Sequence, residues 1–341
     1  MTMNRREFWV DNVKTIACIL VVLGHFFQSM TKAEILPIND LYLWFNQSIY
    51  YFHVPLFFIC SGYLYQRYSK VDTVTAWWHH VLKKLLVLGV PYVTFSIVTW
   101  VLKTLFASSV NNEIGGLVNT LLVSPASPYW YLYALLFVFL ITPTFSNQKT
   151  AAIGLVVAFA FKVLSIADVG YGVSSISYIM THEIWFVIGM CLAVMDITQN
   201  ANYNKKSIWF GCTGLALFAV LSVVVYMADV THGAVGFAMG ILACAAIISA
   251  VIGTLRNRKR RFFNFFAKYS FPIFLMHTLF AAPVRTVLLQ GGVHNPTVHI
   301  IAGLMVSFMG PIVAAWIMKK TKWLEIFLYP AKFVRYKKVK S

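Results

Sequence analysis

Runs of about twenty apolar residues recur from one end of this 341-residue chain to the other, and no other feature limits its fold so tightly. A run of that length crosses the hydrocarbon of a bilayer as a helix. Inside lipid every backbone N–H and C=O must be satisfied by the chain itself, which leaves α-helices or closed β-barrels. The alternating ten-residue segments of a membrane barrel are absent, so hydropathy predicts an all-α polytopic membrane protein. Ten spans are expected, at 13–30, 46–66, 84–106, 128–145, 150–166, 179–195, 207–228, 233–252, 263–287 and 298–318. With 59% hydrophobic and 11% charged residues the chain has too little polar surface to be soluble. The first run follows Arg5 and Arg6 but lacks a small-residue cleavage site, and it reads as a retained helix rather than a signal peptide. The organisation expected is one transmembrane domain over 1–318 and a basic cytoplasmic or interfacial tail over 319–341.

Charge orients these spans. With the N-terminus inside, 23 Lys and Arg residues fall on one side and only Lys32, Lys103, Lys162 and Arg285 on the other, with Lys14 at the start of the first span. The bias predicts both termini on the cytoplasmic side of a bacterial cytoplasmic (inner) membrane. The net charge of +17 then reflects topology and anionic lipid, not nucleic acid. Part of it is a candidate anchor for a phosphate-bearing cofactor: Arg67 after the second span, and Arg258 and Arg260 in RNRKRR between the eighth and ninth. The five cysteines lie within spans and form no CxxC, which suits structural thiols and implies no disulfide framework. No P-loop, G-x-G-x-x-G or H-E-x-x-H occurs, against a nucleotide-driven pump or zinc protease, and no metal is expected. Gly236 and Gly240 form a GxxxG in the eighth span, a signature of close helix packing.

Chemistry concentrates in a few stretches. In DNVKTIACILVVLGHFFQ, residues 11–28, Asp11 and Lys14 open a span that holds His25 deep inside. Eleven residues bring Lys14 and His25 to nearly one helical face, about 16 Å apart along the axis. Ionisable groups at such depths are costly in lipid and point by default into a protein interior. The second span runs the opposite way, and His53 in YYFHVPLFF should lie about 10–13 Å below the outer surface. His25 should lie at about 12 Å, so the two can meet. Pro55 is expected to break the backbone ladder just after His53. His277, in AKYSFPIFLMHTLF, falls mid-span in the ninth. Trp130 and Tyr131, in SPYWYLYALLF, read as an interfacial aromatic belt or as a stacking platform for a carbohydrate. His182 and Glu183 begin the sixth span near the outer surface, where Glu183 could orient an acceptor hydroxyl or assist a base. Paired imidazoles also suit a b-type haem, and a polar interior suits a lipid-sugar flippase or transporter.

The same stretches carry a resemblance. WVDNVKTIACILVVLGHF is similar to the first helix of the membrane acyltransferase family 3, whose pattern is Arg or Lys, ten residues, then His, met here by Lys14 and His25. FHVPLFFICSGYL resembles its second signature, especially in the fucose-4-O-acetyltransferase-like branch, and YWYLYALL and YSFPIFLMH look like its middle and late ones. The resemblance implies a ten-helix enzyme that takes acetyl from acetyl-CoA and places it on a sugar hydroxyl of a cell-surface or lipid-linked glycan. It makes His25 the base or transient acyl carrier, with His53, His277 and Glu183 as further catalytic candidates. Lys14, Asp11, Arg67, Arg258 and Arg260 become candidates for the CoA side, and Trp130, Tyr131 and His182 for the acceptor. Lys at position 14 keeps the charge of the commoner Arg but loses its bidentate fork.

Overall fold

The computed structural model describes residues 7–69, 71, 73–106, 115–169, 173–199, 201–255 and 260–334, with only the backbone described for 201–205. Its helices in chain order are α1 (Phe8–Lys32), α2 (Asp40–Tyr50), α3 (His53–Tyr68), α4 (Val74–Lys84), a π-helical turn (Leu85–Gly89), α5 (Val90–Leu105), α6 (Leu117–Leu122), α7 (Trp130–Ile141), α8 (Gln148–Ile166), α9 (Ser174–Val194), α10 (Ala201–Met227), α11 (Gly233–Leu255), α12 (Arg261–Gln290), α13 (Pro296–Lys320) and α14 (Glu325–Leu328). Eight segments among the described residues are long and apolar enough to cross a membrane: α1, the continuous Val74–Leu105 run, α8, α9, Lys206–Met227, α11, α12 and α13. The protein is an all-α, multi-pass membrane protein.

The second and fourth expected spans differ from the expectation. The second divides at Tyr51–Phe52 into α2 and a 16-residue α3, with Phe52 at φ −136°. His53 is therefore the first residue of α3, and the break falls before it, not after. Pro55 occupies the first turn of α3, where its missing N–H would have had no helical partner, so it starts the helix instead of breaking it. The fourth is the 12-residue α7, lying between Pro128 and Pro143. Thr142 before Pro143 is driven to extended backbone, φ −95° and ψ 109°, which ends the helix.

Packing around these short helices is unusually close. A Cβ on Gly62 of α3 would lie 1.9 Å from Phe186 O of α9, and a Cβ on Gly189 of α9 would lie 2.0 Å from Ile59 O of α3. The two backbones touch only because each helix offers glycine to the other's carbonyl. The GxxxG of α11 works similarly at one of its two positions: Gly240 faces Tyr51 O and the Trp185 ring, while Gly236 has ordinary room. α1 packs on α3 and α12, so the core is built around α1, α3, α9 and α12. α8 and α10 lie outside and present Ile153, Val156, Phe159, Trp209, Phe210 and Val220 to lipid.

Candidate active site

Three histidines from three helices converge in this core. α1 carries His25 nearly five turns beyond its N-terminal end, α3 begins at His53, and α12 carries His277 between its two internal prolines, Pro272 and Pro283. His25 and His277 face each other with ring centroids 5.4 Å apart at 32°. His25 and His53 line one cavity of about 130 Å³. A second cavity of about 40 Å³ lies between His25, Phe26, Ser29, His277, Ala281 and Ala282, with Thr278 and Ser307 also in its wall. His25 is the one residue common to both cavities. It is half-buried and faces the protein interior, not lipid.

The backbone sets how two of these rings are protonated. His53 Nδ1 lies 2.6 Å from Ile49 O, and His277 Nδ1 lies 3.0 Å from both Ile273 O and Phe274 O. A carbonyl oxygen only accepts, so Nδ1 is the donor in each, and the neutral ring keeps its lone pair on Nε2. His277 Nε2 is buried without a partner. His53 is 3% exposed, and Tyr50 meets its ring edge-on at 4.6 Å. His25 Nε2 lies 3.5 Å from Ser127 Oγ, at the limit of a hydrogen bond. The larger cavity opens past exposed Ser127 and Tyr50 and half-buried Gln28, while Val21, Val54, Phe57 and Phe274 form apolar wall.

The aromatic stretch turns inward. Tyr129 is fully buried and Tyr131 and Tyr133 nearly so, which excludes a membrane-interface belt as their arrangement. Tyr129 OH donates to Leu275 O at 3.1 Å, which ties α7 to α12 two residues before His277. Trp130 and Tyr131 line the larger cavity, and Tyr131 OH lies 3.3 Å from Ser61 Oγ. His182 does not reach that cavity. It stacks flat on Phe58 at 4.9 Å and packs against Trp130 at 5.2 Å, so it supports the tryptophan from behind.

Other expected site residues lie elsewhere. Glu183 is buried in the middle of α9, not at its start, and lines neither cavity. Its Oε1 accepts from Thr142 Oγ1 at 3.2 Å, and its Oε2 is buried without a partner. Successive helical positions diverge by about 100°, so with His182 packed toward Trp130 its neighbour is turned to the end of α7. Lys14 and Asp11 are half-buried near the start of α1, with Thr15 Oγ1 donating to Asp11 O at 2.8 Å. Arg67 is committed to an exposed ion pair, Nη1 to Asp196 Oδ1 at 3.0 Å. Arg67→Ala is therefore expected to change stability by only about 0.2–1 kcal/mol, and a binding role for Arg67 would show instead as a raised KM for a CoA donor. Arg260 is exposed at the start of α12, and Arg258 lies outside the described residues.

Gln28, Tyr50 and Ser127 are cavity residues not expected from the sequence. Gln28 was open to discovery, since it lies three residues beyond His25 on the same face; its Nε2 donates to Asn46 Oδ1 at 3.1 Å and ties α1 to α2. Tyr50 and Ser127 carry no such periodic signal, because one ends a short helix and the other sits in a loop.

The geometry can be set beside known proteins. The family described as an acyltransferase domain matches residues 7–316. Inner membrane protein YcfT of Escherichia coli (strain K12) is 23% identical over 247 residues, covering 62% of this chain and 58% of that protein. Nodulation protein NolL of Sinorhizobium fredii (strain NBRC 101917 / NGR234) is 27% identical over 224 residues, covering 64% of this chain and 58% of that protein. The chain thus matches less than two thirds of the length of either relative. No solved structure matches it significantly.

Proposed function

Since this chain belongs to the acyltransferase-domain family, we propose that it is a membrane O-acetyltransferase. It moves acetyl from acetyl-CoA to a sugar hydroxyl of a cell-surface or lipid-linked glycan, in a cytoplasmic membrane with both termini inside. The observation that carries this reading is the position of His25, an interior imidazole shared by two cavities and flanked by two histidines with free Nε2 lone pairs.

Acyl transfer from a thioester to an alcohol needs a group to take the hydroxyl proton and donors or dipoles to hold the tetrahedral oxyanion. His25 takes the proton as the sugar oxygen bonds to the thioester carbon. The C–S bond then breaks, the sulfur leaves as the CoA thiol with that proton, and the imidazole returns to its neutral form. A variant in which His25 itself carries the acetyl for one step uses the same geometry and two successive transfers. His277, in contact with His25, shares the transient positive charge, and His53 faces the acceptor across the larger cavity. Trp130 and Tyr131 offer faces on which a sugar ring stacks. Lys14, about 16 Å inward from His25 on the same face of α1, meets the CoA arm near the cytoplasmic surface, with Asp11 beside it.

Mass analysis of surface and lipid-linked glycans from cells with and without the protein tests this reading. The expected result is loss of the mass of one acetyl group per modified sugar, with the amount of glycan unchanged. Unmodified masses accompanied by less exported glycan would instead indicate a lipid-sugar transporter and overturn it.

A further inference from the structure

The smaller cavity has a charge beside it that acetyl transfer, as described, does not use. Arg285 lies in α12 four residues after Ala281 and three after Ala282, on the helical face that walls the cavity. A side chain on a helix leans back over the preceding turn, which carries the guanidinium toward these two alanines and toward His277, whose Cα is about 12 Å away along the axis. Arg285 is 9% exposed. Its Nη1 donates to Ser29 O at 3.2 Å and to Ser29 Oγ, and Ser29 is itself a wall of the cavity.

Both partners are neutral, and they engage one nitrogen of a group with five N–H donors. Among the described residues no carboxylate lies within ion-pairing distance of Arg285. A buried cation without an anion is strongly unfavourable, and the planar guanidinium fork matches a carboxylate or phosphate. The cavity's 40 Å³ gives room for a small polar group but not for a sugar ring, whereas the larger cavity beside it has stacking rings.

We propose that Arg285 and the smaller cavity bind the anionic substituent of an acidic acceptor sugar, a uronate carboxylate or a sugar phosphate. The ring lies in the larger cavity, its anion reaches past His25, and a hydroxyl is thereby held against the imidazole. The word acceptor rests on the acetyl-transfer reading; the anion site does not.

The test is thermal unfolding of the purified full chain in detergent with sodium D-glucuronate, glucose 1-phosphate, D-glucose or matched NaCl. At saturation at least one anionic sugar is expected to raise Tm by about 2–4 °C, with no shift from glucose or NaCl. Which anion acts tells carboxylate from phosphate. Arg285→Gln is expected to lose the shift and Arg285→Lys to keep part of it. If Arg285→Gln does not fold, Ala282→Leu carries the test, since it fills the cavity while keeping the charge, and it too is expected to lose the shift. An equal shift with glucose, no shift with either anion, or a shift surviving in Arg285→Gln or Ala282→Leu overturns the assignment. The readout needs no turnover, so an Arg285-dependent shift in a protein that transfers no acetyl would sink the acetyl-transfer reading alone. Acetyl transfer with no such shift would sink the anion site alone.

Discussion

His25→Ala is expected to lower acetyl transfer at least about 100-fold, because a positioned general base contributes a factor of roughly 10²–10⁴. The substitution should leave the fold largely intact. His25 is half-buried between two cavities, and truncating it joins them without removing a hydrogen bond inside the core. The measurement is acetyl transferred per amount of protein recovered from membranes, which separates lost chemistry from lost protein. Wild-type acetylation at matched abundance would show that neither base nor acyl-carrier chemistry runs through this imidazole. The two roles are separable in the same material: a trapped acetyl-imidazole in the absence of acceptor belongs only to the carrier.

Gly62→Ala is expected to destabilise the protein by about 4 kcal/mol or more, the range of severe backbone clashes. The added Cβ would lie 1.9 Å from Phe186 O and 2.8 Å from its carbon, and neither can rotate away. α3 and α9 would have to part, which shifts His53 at the head of α3 and the Phe58–His182 stack that supports Trp130. Monodisperse protein surviving a heating series in detergent measures the effect. Gly236→Ala is the control: its nearest contact would be 3.5 Å from the Tyr51 ring, so it should survive heating like the parent. Equal survival of Gly62→Ala and Gly236→Ala would refute the close crossing of α3 and α9.

Much of the membrane architecture was legible because hydropathy reports directly on a segment's preference for lipid. Eight expected spans correspond to apolar helices long enough to cross. The two exceptions, at α2–α3 and at α7, show what hydropathy omits. It averages over a window and does not see that Pro55 begins a helix or that Pro143 ends one. The depth argument brought His25 to the level of His53 from rise per residue alone, and the two line one cavity. His182 and Glu183 were expected at the start of a span, but α9 begins at Ser174, five residues before the expected start, which puts both mid-helix with different partners.

By itself, the sequence determined that the chain folds as membrane helices, that ionisable groups on α1 must face protein, and that His25 and His53 can meet. These follow from the properties of a segment: its transfer free energy, its period and its rise. Which way each helix is rotated, and which helices are neighbours, was decided only by the tertiary structure. The inward-facing tyrosines, the stack behind Trp130 and the lone guanidinium of Arg285 beside Ser29 all depend on contacts between residues far apart in the chain. Such contacts are set by close fit, as at Gly62 and Gly189, where the absence of a side chain on one helix admits the carbonyl of another.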